Sequence, residues 1–251
     1  MSQITLDDRH ETERAHGRFL KAEPEKYWGQ ESKSGKLRIK RRAKMLIEAC
    51  GLRSGLKVLE LGCGSGNYTE LYAASGADLT AVDLSEELLD LAKKRSPKVN
   101  FLLTPAETLE GIPDDSMDCV IGNAVLHHFD VPAALRAMHR VLKPGGVICF
   151  TEPNMVNPQI FLQKNLPWLK RLLGDSPHET AFFRRTIVKL LGDSGFTEAS
   201  ALPFDFLHPL IPGFMAGPVE KMSLVLEKIP GIKEIGGSLL IKGRKPEGFR
   251  G

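Results

Sequence analysis

The sequence predicts an α/β protein with a parallel sheet covered by helices on both faces. From Lys57 to Thr151, short apolar runs alternate with helical patterns. The first run, Val58-Leu59-Glu60-Leu61, is closed by Gly62, Gly64 and Gly66, and the second, Leu79 to Val82, ends on Asp83. Buried-type strands separated by helices build βαβ units, whose crossovers place helices over the sheet.

The elements follow in order. The first 35 residues are polar, with Tyr27-Trp28 as their one aromatic spot. Ile39, Ala43, Leu46, Ile47 and Cys50 share one helical face, and Gly51 marks its end. Val99 to Leu103, Cys119 to Ile121 and Val147 to Thr151 complete the central strands. Between them, Leu84 to Arg95 reads as a helix capped by Ser85, with Glu86-Glu87 in its first turn. Pro132 to Val141 reads as another, with Pro144-Gly145-Gly146 beyond its end. After Pro153, helical patterns cover Ile160 to Leu173, Thr180 to Ser194 and Gly213 to Ile229, the last with Pro218 at its start. Ala201 to Leu207 and Ser238 to Lys242 are the arms of a long hairpin.

Composition narrows the function classes. At 251 residues, 42% hydrophobic and 26% charged, the chain is one generous domain or a core with additions, which sets aside disorder and disulfide scaffolds. Its 34 basic and 31 acidic residues leave a net +3, too near neutral to predict a nucleic-acid partner. Cys50, Cys63, Cys119 and Cys149 form no C-x-x-C pair, so they are expected reduced and mostly buried. No signal peptide pattern or spanning apolar run is visible, and a cytoplasmic location is expected.

Val58 to Asn67 reads as strand, glycine-rich turn, then helix. Glycines allow the sharp turn and let a ligand approach the backbone, and the N–H groups of the next helix suit an anionic group. Asp83 can accept two hydrogen bonds from a ribose diol. The dinucleotide fingerprint G-x-G-x-x-G aligned on Gly62 and Gly64 demands glycine at 67, where Asn67 stands. No Gly-Lys-Ser/Thr follows, so a P-loop is excluded too.

Glu60 to Asn67 (ELGCGSGN) resembles motif I of the Rossmann-like, class I S-adenosylmethionine (SAM) dependent methyltransferases. Further motifs follow in family order: Leu79 to Ser85, Pro105 to Leu109, Asp118 to Phe129 and Leu142 to Thr151. The likeness spans about residues 55–155 and is nearest the branch that methylates small molecules, including ubiquinone and menaquinone precursors. It implies a seven-stranded, mostly parallel sheet with a C-terminal antiparallel hairpin and a helical lid. Residues 1–50 would form an N-terminal helical cap and 51–155 the SAM-binding core. Residues 156–251 would supply lid insertions and the rest of the same sheet.

The resemblance implies SAM as cofactor, S-adenosylhomocysteine as product, and contacts from Gly62, Cys63, Gly64, Asn67, Asp83, Leu84, Ala106, Glu107 and Asn123. Glu60, a carboxylate inside an apolar strand, either holds a loop amide or helps bind the methionine amino group. Tyr27 and Trp28 form either a packing patch or part of a lid over the cofactor. His127 and His128 follow the fourth strand, where a base or substrate binder would stand; the alternative is a packed or solvated pair, and His128 is the preferred base. No metal is expected, because adjacent histidines do not readily share an ion and no carboxylate cluster stands nearby in sequence. Lys33, Lys36, Arg38, Lys40, Arg41, Arg42 and Lys44 form either a solvated face or a contact for an anionic substrate or lipid headgroup.

The expected function is methyl transfer to a small, apolar acceptor, with no nucleic acid, no spanning segment, an allowance for peripheral membrane contact, and a monomer or homodimer. The alternatives are a non-catalytic SAM-binding or interaction protein and, against Asn67, a nicotinamide oxidoreductase. Asn123-Ala124-Val125-Leu126 stands where amino-methylating enzymes carry Asn-Pro-Pro-Tyr, which argues against adenine or glutamine as acceptor. Ile160 to Leu173 and Gly213 to Ile229, with Trp168, Met222, Phe182, Phe183, Phe204, Phe206 and Phe214 in the region, are expected either to roof the acceptor pocket or to pack against each other, the sheet edge or a partner.

Overall fold

The computed structural model describes residues 6–20, 23–172 and 179–248. Three helices precede the sheet: α1 (Leu6–Leu20), α2 (Pro24–Tyr27) and α3 (Lys33–Cys50). The polar composition of α1 hid it from periodicity, yet Asp7 and Asp8 in its first turn and Arg18 in its last complement the helix dipole. The Ser32 hydroxyl accepts from Gly35 N to cap α3, and Gly51 closes it at φ 62.

Seven strands form one sheet: β1 (Lys57–Leu61), β2 (Asp78–Asp83), β3 (Asn100–Leu103), β4 (Met117–Asn123), β5 (Leu142–Pro153), β6 (Thr197–Phe204) and β7 (Ser238–Arg244). Their order is β3-β2-β1-β4-β5-β7-β6. Strands β1 to β5 pair in parallel, and β7 lies antiparallel between β5 and β6, the hairpin that the sequence predicts. Pro203 falls in β6, an edge strand, where a missing donor costs least.

Helices α4 (Asn67–Ala73), α5 (Glu86–Arg95) and α6 (Val131–Val141) connect the parallel strands. Ser85 caps α5 by accepting from Leu88 N, as expected, and Asp130 caps α6 by accepting from Ala133 N. Alternation along each strand sorts the two faces. Leu59, Leu61, Val120, Ile148 and Phe150 pack with Leu135 and Met138 of α6. Val58, Cys119, Ile121 and Cys149 point the other way, onto Ala43 and Leu46 of α3 and Tyr72 of α4. Helix α3 therefore packs on the sheet. All four cysteines are free thiols.

Beyond β5 come α7 (Pro158–Asn165), α8 (Pro167–Leu172), α9 (Arg184–Asp193) and α10 (Ala216–Leu226). The pattern over Ile160 to Leu173 is two helices, because Pro167 cannot donate to the α7 ladder; Leu173 lies outside the described residues. Phe182 bridges Asn154 in extended conformation, so α9 starts at Arg184 and not near Thr180. The basic run of α3 divides. Its lysines are exposed, but Arg38 and Arg42 pair with the buried Asp205 at 3.0 and 2.8 Å, and Arg41 with Glu227 at 2.5 Å. A solvated face is thus the wrong description for those arginines. They fasten the segment after β6, and α10 with it, to α3.

Candidate functional site

Strand order reverses at β1, whose neighbours β2 and β4 carry the chain in opposite directions. A crevice opens at the carboxyl ends there, where open α/β sheets bind ligands. It holds a cavity of about 530 Å³. Gly62, Cys63, Gly64, Asn67, Asp83, Leu84, Ala106, Glu107, Asn123, Trp28 and His128 all line it, whereas Glu60 and His127 do not. The side chain of Tyr27 lies outside the described residues.

The turn after β1 needs its glycines. Gly62, Gly64 and Gly66 have φ of 60, 53 and 86, left-handed values that side chains disfavour. A Cβ on Gly62 would stand 2.0 Å from Val125 Cγ2, and one on Gly64 would stand 3.1 Å from the Trp28 ring. Asp83 fixes this turn: its Oδ2 accepts from Gly64 N at 2.8 Å and its Oδ1 from Ser85 N at 2.9 Å. A carboxylate offers about four lone-pair sites, so it can still accept from a diol.

Glu60 sits under the turn, 3% exposed, with Oε2 unpartnered. Burial pushes its carboxyl up to about 8, the Thr69 hydroxyl pulls it down, and Asp83 adds to the rise. The Asn123 amide is engaged by Tyr72 and Thr151, so it meets the cavity as part of a braced wall. The Glu107 carboxylate accepts from Asp130 N at 3.1 Å and meets His10 Nε2 at 3.1 Å, joining the α6 cap to α1.

The N-terminal segment covers the turn. Glu25 accepts from the Ser65 hydroxyl and from Arg95, each at 2.8 Å, and Gln30 accepts from Asn67. Arg9 donates to the carbonyls of His128 and Phe129, both at 3.1 Å. Trp28 lies over Gly64 as a result.

The two histidines occupy a 3-10 turn, Leu126–His128, with ring centroids 4.3 Å apart. His127 is buried, its Nδ1 2.6 Å from Glu152 Oε2, and burial pushes it below the usual histidine range, with His128 adding to the fall and Glu152 opposing it. Glu152 Oε1 also accepts from Val125 N and Leu126 N, so this buried carboxylate shapes the whole turn. His128 faces the cavity, its Nδ1 3.9 Å from Glu179 Oε1. Lys164 of α7 meets Glu179 Oε2 at 2.8 Å, both side chains buried. Burial alone would raise the Glu179 carboxyl; the His128 and Lys164 charges prevail and hold it well below the usual range.

The sequence reading missed Glu152, Glu179, Lys164, Arg9 and His10. Glu152 did carry a signal, a carboxylate ending an apolar strand as Glu60 does inside one. The others lie in stretches with no local pattern. Carboxylates do stand near the histidines, contrary to expectation: His127, His128 and Glu179 bring ligand atoms within 4.8 Å of one another. Lys164 already sets a cation on Glu179 there.

The expected roof differs as well. Trp168, Phe183 and Met222 are about half exposed and absent from the cavity lining. Ile160 and Phe206, both expected in the roof, do line it, with Leu207 and Pro209, beside Asn157, Gln159, Gln163 and His208. The charged substitutions at Phe183 or Met222 that a roof would suggest have no direct path to a bound acceptor.

Fold and site define an α/β protein with a nucleoside-type crevice at a glycine turn and a second, histidine-bearing half. Residues 59–150 match the family model described as a methyltransferase domain. The chain is 37% identical over 98 residues to the malonyl-[acyl-carrier protein] O-methyltransferase of Serratia marcescens, covering 39% of this chain and 38% of that one. It is 36% identical over 120 residues to the ubiquinone biosynthesis O-methyltransferase of Bordetella pertussis, covering 46% and 49%. The matches thus span less than half the length of these curated relatives. Among solved structures, a SAM-dependent methyltransferase of Thermotoga maritima, titled a possible histamine N-methyltransferase, superposes with TM-score 0.64 at 18% identity, covering 93% and 99%. Residues 59–150 are thus similar to a methyltransferase domain, and the chain shares its fold with SAM-dependent methyltransferases of known structure. No helix among the described residues is long and apolar enough to cross a membrane.

Proposed function

We propose that this protein transfers a methyl group from SAM to a small-molecule acceptor with an apolar body and polar substituents. One observation carries the reading: the glycine turn with Asp83, and His128 backed by Glu179, line one continuous cavity. The residues present fit the cofactor. The turn has no Cβ where a ligand must approach, Asp83 keeps acceptor capacity for a ribose diol, and Ala106 and Leu84 offer a flat apolar bed for a base.

When bound, SAM supplies an electrophilic methyl group on a sulfonium. The chain's own residues do the rest. Asp83 and the turn hold the nucleoside half, and Trp28 with α1 excludes water. Ile160, Phe206 and Leu207 would bury the acceptor's hydrocarbon while Gln159, Gln163 and His208 orient its polar groups. His128 would accept the proton that a hydroxyl or carbon acid gives up as it attacks. Glu179 favours the resulting imidazolium, and Lys164 keeps that carboxylate ionised. His127, neutral and held by Glu152, positions the turn.

Calorimetric titration with SAM, followed by measurement of S-adenosylhomocysteine release with a panel of phenolic and enolic acceptors, tests the reading. His128→Ala should cut turnover by roughly 10²–10⁴-fold with cofactor affinity nearly unchanged. Tight SAM binding with no methyl transfer to any acceptor would favour a non-catalytic SAM-binding protein instead.

A further inference from the structure

The outer side of the cavity rim is apolar and basic at once. Leu210 and Phe214 are 82% and 81% exposed, the most exposed large hydrophobic residues described. Their loop is not loose: the Ser32 and Ser34 hydroxyls donate to the carbonyls of Pro209 and Ile211 at 2.9 and 2.7 Å. Its inner end, Phe206 to Pro209, lines the cavity. Next in the chain, α10 turns its buried side, Ala216 and Ser223, toward α3 and the β6 end. Met222 and Val225 of α10 turn away from that buried side, and Ile229 stands three residues past the helix end; all three are exposed. An apolar helix face turned to water beside two bare loop residues marks an interaction surface.

The charges around it are mostly positive. Lys33, Lys36 and Lys40 of α3 line a shallow groove beside the loop, where Lys33 packs on Gly213. Lys221 and Lys228 flank the apolar face of α10. Against these five lysines stand Glu31 and Glu220, because Glu227 is taken by Arg41. Apolar side chains ringed by lysines are the chemistry of a helix lying in a lipid headgroup layer. A second copy of the chain fits poorly, since a two-fold contact would set the lysine row against itself.

We propose that the 210–215 loop and α10 dock on an anionic membrane surface, so that the cavity mouth opens at the lipid interface. The docking stands apart from the catalytic reading. If both hold, the acceptor is lipid-soluble and enters past Phe206 and Pro209 without crossing bulk water.

Cosedimentation with vesicles tests this, comparing phosphatidylcholine alone with phosphatidylcholine containing phosphatidylglycerol. The wild-type protein should pellet with the anionic vesicles only, and less so in high salt. Leu210→Ser/Phe214→Ser should lower binding at least tenfold. Lys33→Gln/Lys36→Gln/Lys40→Gln should lower it roughly a hundredfold at low salt, given about a fivefold contribution per lysine. Neither variant touches the cavity lining, so each should keep wild-type cofactor affinity. Loss of that affinity in the wild type would remove the methyltransferase reading and leave the docking result standing. A wild-type protein that stays in the supernatant with both vesicles overturns the proposal. So does unchanged binding by both variants, or a dimer in sedimentation velocity that Leu210→Ser/Phe214→Ser converts to monomer.

Discussion

Replacing Glu60 with glutamine should remove a pH-dependent weakness from the centre of the fold. The Glu60 carboxyl is buried under the glycine turn with Oε2 unpartnered, and burial raises it from 4.5 to about 8. In the folded state it therefore keeps its proton at neutral pH, while the unfolded chain gives it up. A group whose folded value lies above its unfolded value contributes stability that is full below the unfolded value and lost as pH rises through the folded one. The window here runs from 4.5 to about 8. Across about pH 5 to pH 8, at up to 1.36 kcal/mol per unit, the wild type should lose roughly 3.5 kcal/mol through this group alone. Glutamine keeps the shape and cannot titrate. Its buried amide costs roughly 1–3 kcal/mol at every pH, so the variant should be weaker in acid and equal or stronger near pH 8. Urea unfolding at several pH values measures this, with the difference between the two proteins as the readout. Parallel stability curves would refute the assignment of a neutral Glu60.

Three further outcomes are expected. Asp83→Ala should weaken SAM binding tenfold to a hundredfold, about one or two charged hydrogen bonds, and unchanged affinity by calorimetry would remove the ribose assignment. Gly62→Ala puts a Cβ 2.0 Å from Val125 at φ 60, which should cost roughly 3 kcal/mol and lower the melting temperature by roughly 5–10 °C. Asp205, held at about 2 against an ordinary 3.8 despite burial because Arg38 and Arg42 face it, contributes stability present above 3.8 and lost as pH falls through 2. Relative to Asp205→Asn, the wild type should therefore lose about 2 kcal/mol on acidification, read by denaturant unfolding at both ends of that window.

Local chemistry was enough to read the parallel half of the fold and the glycine-turn side of the cavity. A strand run, a glycine turn and an aspartate lie within 26 residues, Val58 to Asp83, and the backbone demands of the turn can be met only by residues that show in sequence. Ser85 and Gly51 were legible for the same reason, since a cap acts on its own neighbours. The histidine-bearing side was decided by tertiary structure. Lys164 and Glu179, fifteen residues apart, pair with each other, and Glu179 reaches His128, only because α7 and the strand-like stretch at Phe182 fold back on the end of β5. The arginines of α3 read as solvent-facing by composition and became buried anchors once Asp205 arrived from beyond β6, 163 residues away for Arg42. Helical period likewise puts Val219, Met222, Val225, Leu226 and Ile229 on one face but cannot say which way it turns. Periodicity measures the contrast between two faces of a helix; which face meets the core depends on partners such as Arg41, Ser223 and Glu227, and those are set by the fold as a whole.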